Sequence, residues 1–98
     1  MSETISVDGG KVVVKPVGRL DVKASAALMD ELKEPLEGAT EVTFDLEQLD
    51  YISSAGLRVV LAAQKRMDKQ GSMKIVNVNE NILEVFEMTG FAAIFDIS

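Results

Sequence analysis

Apolar, β-branched residues at the start of the chain predict a β-hairpin. Residues 4–7 and 11–17 are rich in such side chains, and the turn sequence Asp8-Gly9-Gly10 separates them. Glycine supplies the positive φ angles that a tight hairpin turn needs. Pro16 cannot donate a hydrogen bond to a neighbouring strand, so we expect the second strand to end near residue 17.

A helical spacing of apolar residues follows the hairpin. Leu28, Leu32 and Leu36 lie four residues apart, and Asp21 stands where a helix N-cap is expected. Pro35 is incompatible with an undisturbed helix interior. The regular helix should therefore end near residue 33 or 34 and give way to an irregular turn.

Two further helices are predicted by the same criteria. Apolar residues at helical spacing, with Gly71 as terminator, predict a helix over residues 55–70. A third helix is expected to begin after Asn79 or Asn81 and to end at Gly90. It carries its apolar residues on one stripe, as a helix packed on a sheet does.

Short β-branched and aromatic segments alternate with these helices. Residues 42–46 predict a central strand followed by a loop over residues 47–53, residues 73–77 predict another strand, and residues 92–97 predict an edge strand. The order β-β-α-β-α-β-α-β implies right-handed crossovers and a mostly parallel sheet. We therefore expect one α/β domain over residues 1–98, with a mixed sheet of four to five strands and three or more helices.

The formal net charge of −6 argues against two classes of partner. A negative protein field repels the phosphate groups of nucleic acids and of anionic lipids. The ten basic residues are scattered, and the one adjacent pair, Lys65-Arg66, lies in a predicted amphipathic helix whose solvated face explains it. We expect neither direct nucleic-acid binding nor membrane binding.

The chain contains neither cysteine nor histidine. Their absence removes disulfides, thiol nucleophiles, Ser-His triads and almost all zinc sites. Asp45 and Asp50 have no further ligands nearby for a metal ion, and no P-loop sequence is present. We therefore expect no cofactor, no metal and no enzymatic activity. The start of the chain lacks the pattern of a secretory signal, so we expect a cytoplasmic protein.

Two hydroxyl groups lie at the start of the second predicted helix. Ser53 and Ser54 follow the predicted loop, and Gly56 comes shortly after them. The first turn of a helix has unpaired N–H groups and a partial positive charge, so it stabilises a capping serine or a phosphate. Gly56 either lets the backbone of another protein approach or relieves a packing clash. Spacing alone leaves both a structural cap and a binding site open.

Four motifs in this chain resemble those of the STAS family, the sulfate transporter and anti-sigma factor antagonist domains. They are Gly18-Arg19-Leu20-Asp21, Asp45-Leu46, the run from Tyr51 to Arg58, and Thr89-Gly90-Phe91 followed by Ile94-Phe95. The motifs occur in the family's order, and the resemblance covers nearly the whole chain. It implies a STAS-like fold.

The resemblance also implies a non-catalytic protein switch. In bacterial members the unmodified domain binds an ATP-dependent anti-sigma factor kinase, which frees the sigma factor, and phosphorylation reverses this binding. Aligning on Gly56-Leu57 makes Ser54 the phosphoacceptor and places Ser53 where many members have Asp. The same cycle implies a PP2C-type phosphatase as a second partner.

The resemblance further implies which residues contact the partner: Asp21, Ser53, Ala55, Gly56, Leu57 and Arg58. Asp21 matches an acidic position near the acceptor, where it orients the hydroxyl or contacts the kinase, and it fits a helix N-cap equally well. Asp45 either lines the site or only satisfies loop amides. Arg58 is either an interface residue or a solvent-facing one.

Two other interpretations compete with the switch. A phosphoaspartate receiver domain using Asp45 would need an acidic pair after its first strand and a lysine after its last, and the chain has neither. The other is a constitutive STAS scaffold or transporter-associated subunit whose serine-containing loop docks a partner without phosphorylation. The intact run from Ser54 to Leu57 favours the switch, whereas the missing Asp at position 53 leaves room for the scaffold.

Overall fold

The computed structural model describes residues 4–97 of the chain. Within this range the strands are β1 (Ile5–Asp8), β2 (Lys11–Val14), β3 (Gly18–Leu20), β4 (Glu41–Asp45), β5 (Leu49–Ile52) and β6 (Ser72–Val76). The α-helices are α1 (Val22–Leu32), α2 (Ser54–Gln70) and α3 (Glu80–Thr89). Short 3-10 turns, Pro35–Gly38 and Phe91–Ala93, follow α1 and α3.

Four of the strands form the main sheet, in the order β1-β2-β4-β6. β1 pairs antiparallel with β2, as the predicted hairpin requires. β2, β4 and β6 are parallel to one another, and the connections between them carry α1 and α2. The predicted α/β fold class, with a mixed and mostly parallel sheet joined through helices, is therefore confirmed.

One face of the main sheet carries the hydrophobic core. Alternate residues of its parallel strands are buried, namely Val12, Val14, Val42, Phe44, Met73 and Ile75. The helices supply the facing apolar residues, among them Leu32 of α1, Met67 of α2 and Phe86 of α3. Because the alternate positions are more exposed, the helices cover one side of the sheet only. No helix within residues 4–97 is both long and apolar enough to cross a bilayer.

The helix boundaries follow from their capping residues. The carboxylate of Asp21 accepts a hydrogen bond from the N–H of Ala24 at 2.9 Å, which confirms it as the N-cap of α1. Asn79, not Asn81, caps α3, because its side-chain oxygen accepts from the N–H of Ile82. Gly90 ends α3 in the left-handed conformation, with φ of 82°.

A second, two-stranded sheet was not predicted. β3 and β5 pair in parallel, with Leu20 opposite Ile52, where the sequence indicated a loop over residues 47–53. β5 buries its two ends, Leu49 and Ile52, and exposes the two residues between them. This burial pattern lacks the period of two that identifies a half-buried strand. β3 has three residues and begins at a glycine, so it has no recognisable pattern either.

Two predicted strand boundaries are wrong. β2 ends at Val14 and not near residue 17, because Pro16 takes the chain out of the ladder. The expected edge strand over residues 92–97 contains the 3-10 turn and joins the sheet through a single bridge, Ile75 with Ile97. Phe95 explains the difference, since its ring packs edge-on against Phe86 at 5.4 Å and draws this segment onto α3.

Asp45, at the end of β4, contacts residues that lie just beyond the ends of β2 and β6. Its Oδ1 accepts hydrogen bonds from the Glu47 N–H at 3.1 Å and from the Asn77 amide at 3.0 Å, and its Oδ2 lies 3.9 Å from Nζ of Lys15. The hydrogen bond from Asn77 is the main cause of a lowered pKa for Asp45, with the Glu47 amide and the charge of Lys15 adding to it. Of the two interpretations of Asp45, its contacts fit the satisfaction of loop groups.

We expect acidification to remove part of the stability through Asp45. Because its pKa is lowered in the folded state, the unfolded chain binds the proton more readily, and stability is lost as the pH falls below about 5. Asp45→Asn should cost about 1 kcal/mol at pH 7 and make the free energy of unfolding less dependent on pH. Urea unfolding at a series of pH values measures both effects. Asp30→Asn, which removes an exposed ion pair with Lys33, is the control and should change the free energy of unfolding at pH 7 by about 0.5 kcal/mol or less.

Candidate functional site

The pairing of β3 with β5 brings the starts of two helices side by side. Leu20 and Ile52 are opposite each other, and the next residue of each strand is the N-cap of a helix, Asp21 for α1 and Ser53 for α2. Since the strands are parallel, both helices begin at the same end of the small sheet. The structure thus places the predicted Asp21 and the two predicted serines in one region.

The backbone carbonyl of Leu20 holds this region together. It accepts hydrogen bonds from the N–H of Ser53 at 3.0 Å, from the Ser53 hydroxyl at 2.8 Å and from the hydroxyl of Ser25 at 3.4 Å. Ser25 lies in the first turn of α1 and is buried. One oxygen therefore joins β3, the start of α1 and the start of α2. Leu20 was quoted in the motif at residues 18–21, but no sequence signal indicated that its carbonyl accepts these three hydrogen bonds.

The two serines have different surroundings. The Ser53 hydroxyl is half-buried, donates to the Leu20 carbonyl, and accepts from the N–H of Gly56 at 3.1 Å, which makes it the N-cap of α2. Ser54 is the first residue of the helix and is exposed. The Ser54 hydroxyl makes no hydrogen bond to any residue between positions 4 and 97. Ser53 has a structural role, and Ser54 presents its hydroxyl to solvent.

Gly56 is required by packing inside the chain. A Cβ atom at this position would lie 2.7 Å from Cγ1 of Ile52 and 3.0 Å from the carbonyl oxygen of Leu20. The glycine is buried, so it brings the first turn of α2 against β3 and β5. Of the two interpretations of Gly56, the contacts favour relief of a clash. Leu57 is also buried, at 7% exposure, which leaves little surface for a partner.

The remaining predicted contact residues lie on the outer side of α2. Ala55 is half-buried, and Arg58 is exposed with no ion pair to a described residue. Partner binding by the predicted contact residues stays a prediction. These residues are Asp21, Ser53, Ala55, Gly56, Leu57 and Arg58. Asp45 is not hydrogen-bonded to either serine. Its described partners, Glu47, Asn77 and Lys15, lie just after the ends of β4, β6 and β2.

Arg19 and Tyr51, which were quoted in the sequence motifs without a role of their own, lie beside each other near the serines. The guanidinium of Arg19 lies 4.3 Å from the centre of the Tyr51 ring, and the two residues are paired across β3 and β5. Tyr51 remains 40% exposed. A groove of about 410 Å³ opens next to this stack, between α1 and the segment that leads into β3. Arg19 and Tyr51 are neighbours only because β3 pairs with β5, and this pairing was not predicted.

The surroundings of Ser54 bear on the chemistry that this region supports. An attacking serine needs a base within hydrogen-bond distance, and Ser54 has none among residues 4–97. Over the same residues, no group of three or more histidine, cysteine, aspartate or glutamate side chains is placed to hold a metal ion. What the site offers is an exposed serine hydroxyl next to other exposed side chains.

Comparison with known proteins identifies one domain family and relatives with similar sequences. A model of the STAS domain family matches residues 3–98. A candidate anti-sigma factor antagonist of Bordetella bronchiseptica, BtrV, is 44% identical over 63 residues, which are 63% of this chain and 54% of BtrV. The anti-sigma-B factor antagonist of Bacillus subtilis is 32% identical over 88 residues, which are 89% of this chain and 81% of that protein. The match thus spans only about half the length of BtrV.

Solved structures of the Bacillus protein SpoIIAA have the same fold. Its unphosphorylated form, described as an anti-sigma factor antagonist, gives a TM-score of 0.83 over 96% of this chain and 85% of that chain, at 19% identity. Its phosphorylated form gives a TM-score of 0.76 over 96% of this chain and 88% of that chain, again at 19% identity. At this level of identity the similarity shows the fold.

The different roles of the two serines predict different effects on stability. Ser53→Ala should lower the free energy of unfolding by about 1 to 2 kcal/mol, because it removes the N-cap and a half-buried hydrogen bond. Ser54→Ala should change it by less than about 0.5 kcal/mol. Chemical denaturation of both variants makes the comparison. Equal effects would contradict the assignment of Ser53 as the cap.

The packing around Gly56 predicts that even one added methyl group is harmful. Gly56→Ala should destabilise the fold by about 1 to 3 kcal/mol, since the new atom meets a backbone oxygen that cannot move freely. Gly38→Ala is the matched control, because nothing lies within 4 Å of a Cβ there and its effect should be small. Thermal unfolding distinguishes the two variants, and a stable Gly56→Ala protein would refute the packing argument.

Proposed function

The chain belongs to the STAS domain family, and from this membership we propose that it is an anti-sigma factor antagonist whose binding is controlled by phosphorylation of Ser54. In the proposed cycle the unmodified chain binds an anti-sigma factor kinase and so frees a sigma factor for transcription. Phosphorylation releases the chain, and a PP2C-type phosphatase restores it. The relatives named as antagonists support this role.

The observation that carries the proposal is the exposed, unbonded hydroxyl of Ser54. A kinase must bring the acceptor oxygen to the γ-phosphate of ATP, and Ser54 can be reached without breaking any hydrogen bond to a described residue. Modification of Ser53 would instead disrupt its bonds to the Leu20 carbonyl and to the Gly56 N–H. The geometry therefore favours Ser54 over Ser53 as the acceptor.

In this proposal the chain is a substrate of the kinase and a binding protein, and it is not an enzyme. In the transfer step the Ser54 oxygen bonds to the γ-phosphorus of ATP, the bond to ADP breaks, and the serine proton goes to a base. No described residue is hydrogen-bonded to Ser54 to act as that base, and the chain has no histidine. The base must therefore come from the kinase.

Phosphorylation is proposed to change the interface and to leave the fold intact. A phosphate adds a charge of about −1.5 to −2 at neutral pH. At the start of α2 this charge is tolerated, because the helix dipole favours it by about 0.3 to 1 kcal/mol. Against a partner surface that fits a neutral serine, the same charge must lose its water without gaining a counter-charge, which costs several kcal/mol.

We expect phosphorylated protein to bind the partner kinase at least about a hundredfold more weakly, a difference of about 2.8 kcal/mol. Its circular dichroism spectrum should match that of the unmodified protein. The protein is incubated with ATP and the anti-sigma factor kinase encoded near it, the phosphate is mapped by mass spectrometry, and both forms are titrated with the kinase.

Ser54→Ala and Ser53→Ala are the paired controls for this experiment. Ser54→Ala should accept no phosphate yet still bind, because it removes one exposed hydroxyl. Ser53→Ala should still be phosphorylated, as far as it remains folded. Binding without any phosphate on the wild-type chain would support the constitutive scaffold instead. Equal affinity of both forms, or unfolding on phosphorylation, would refute the switch.

A further inference from the structure

We propose that Arg58 binds the phosphate of phosphorylated Ser54 within the same chain, an inference that rests on the phosphorylation proposed above. Ser54 and Arg58 are both exposed residues of α2, four positions apart. Residues at this spacing lie on one helix face with their Cβ atoms about 5 to 6 Å apart. The intervening Leu57 is buried, so it does not stand between them on the surface.

The direction of helix side chains brings the guanidinium towards the serine. Each Cα–Cβ bond of a helix tilts towards its N-terminus, so a long side chain covers the turn before it. For Arg58 that turn begins at Ser54. A guanidinium offers five donors in a planar fork, which matches the oxygens of a phosphate and allows two parallel hydrogen bonds.

Arg58 is also free to take this role. It has no ion pair, hydrogen bond or ring contact to a residue described between positions 4 and 97. The other two arginines of the chain are engaged, since Arg19 stacks on Tyr51 and Arg66 donates to the side chain of Gln70 at 3.4 Å. Arg58 is thus the uncommitted arginine on the face that carries Ser54.

The charges around Ser54 make such a counter-charge useful. The first turn of α2 contains no acidic residue, so nothing in that turn repels the phosphate. Asp21 caps the adjacent helix, and Asp50 is exposed on β5 just before the serines. A dianion at Ser54 adds to the chain's formal net charge of −6, and Arg58 offsets part of the added charge. The pair Arg58 and phosphoserine therefore holds the phosphate against the surface of α2.

The second ionisation of the phosphate reports this contact directly. Phosphoserine is placed at position 54 of the full chain by genetic incorporation, which requires no kinase, and the phosphorus resonance is titrated between pH 4 and 8. A neighbouring guanidinium favours the dianion, so the phosphate pKa should be lower in the wild type than in Arg58→Gln by about 0.3 or more. Arg58→Lys keeps the charge but loses the fork, and should lie between the two.

Lys65→Gln is the matched control, because Lys65 is an exposed cation of the same helix two further turns along. It removes the same charge and should leave the phosphate pKa unchanged. Identical titrations of the wild type and Arg58→Gln, or an equal shift in Lys65→Gln, would overturn the inference. Either of these results would contradict the Arg58 contact alone, because phosphorylation could still abolish kinase binding without it. A clear shift with unaltered kinase binding would instead keep the contact and refute the switch.

Discussion

The carbonyl oxygen of Leu20 is the point on which the site depends. Strand β3 ends there, the N-cap serine of α2 bonds it through both N–H and hydroxyl, and the first turn of α1 reaches it through Ser25. The same oxygen stands 3.0 Å from where a side chain at Gly56 would begin. The short parallel pairing of β3 with β5 thus sets where two helices start, and hence where Ser54 is exposed.

This arrangement separates the structural and the chemical roles of two adjacent serines. The Ser53 hydroxyl accepts from the Gly56 N–H, which would otherwise be unpaired at the start of α2, and donates to the Leu20 carbonyl. Ser54 makes no such bond to a described residue, so a group attached to it does not disturb the cap. A switch needs a residue that can change chemically while the surface around it stays in place. Under the proposed phosphorylation of Ser54, the adjacent pair would supply both functions within one turn of helix.

Sequence reasoning found the elements that carry strong periodic patterns and missed those that depend on distant partners. The helices were recognised because their apolar stripes and the caps Asp21 and Asn79 are local signals. β3 and β5 stabilise each other across about thirty positions, and neither is patterned alone. For the same reason the sequence could not decide between Ser53 and Ser54 as the cap. That choice depends on the Leu20 carbonyl, which only the unpredicted strand pairing brings to Ser53.

The resemblance to the STAS family aligns Ser53 with a position where many members have Asp. Serine in place of Asp changes the charge at this position more than its geometry. Either side chain can accept the hydrogen bond from the Gly56 N–H and so cap α2. An Asp, however, would place a full negative charge next to Ser54, and a phosphate there would be repelled by it. With Ser53 the first turn carries no acidic side chain, so in the proposed switch the helix dipole and Arg58 would act on the phosphate without that opposition. In the proposed switch, serine rather than Asp at position 53 would therefore favour the phosphorylated form energetically, and it gives no structural reason against Ser54 as the acceptor.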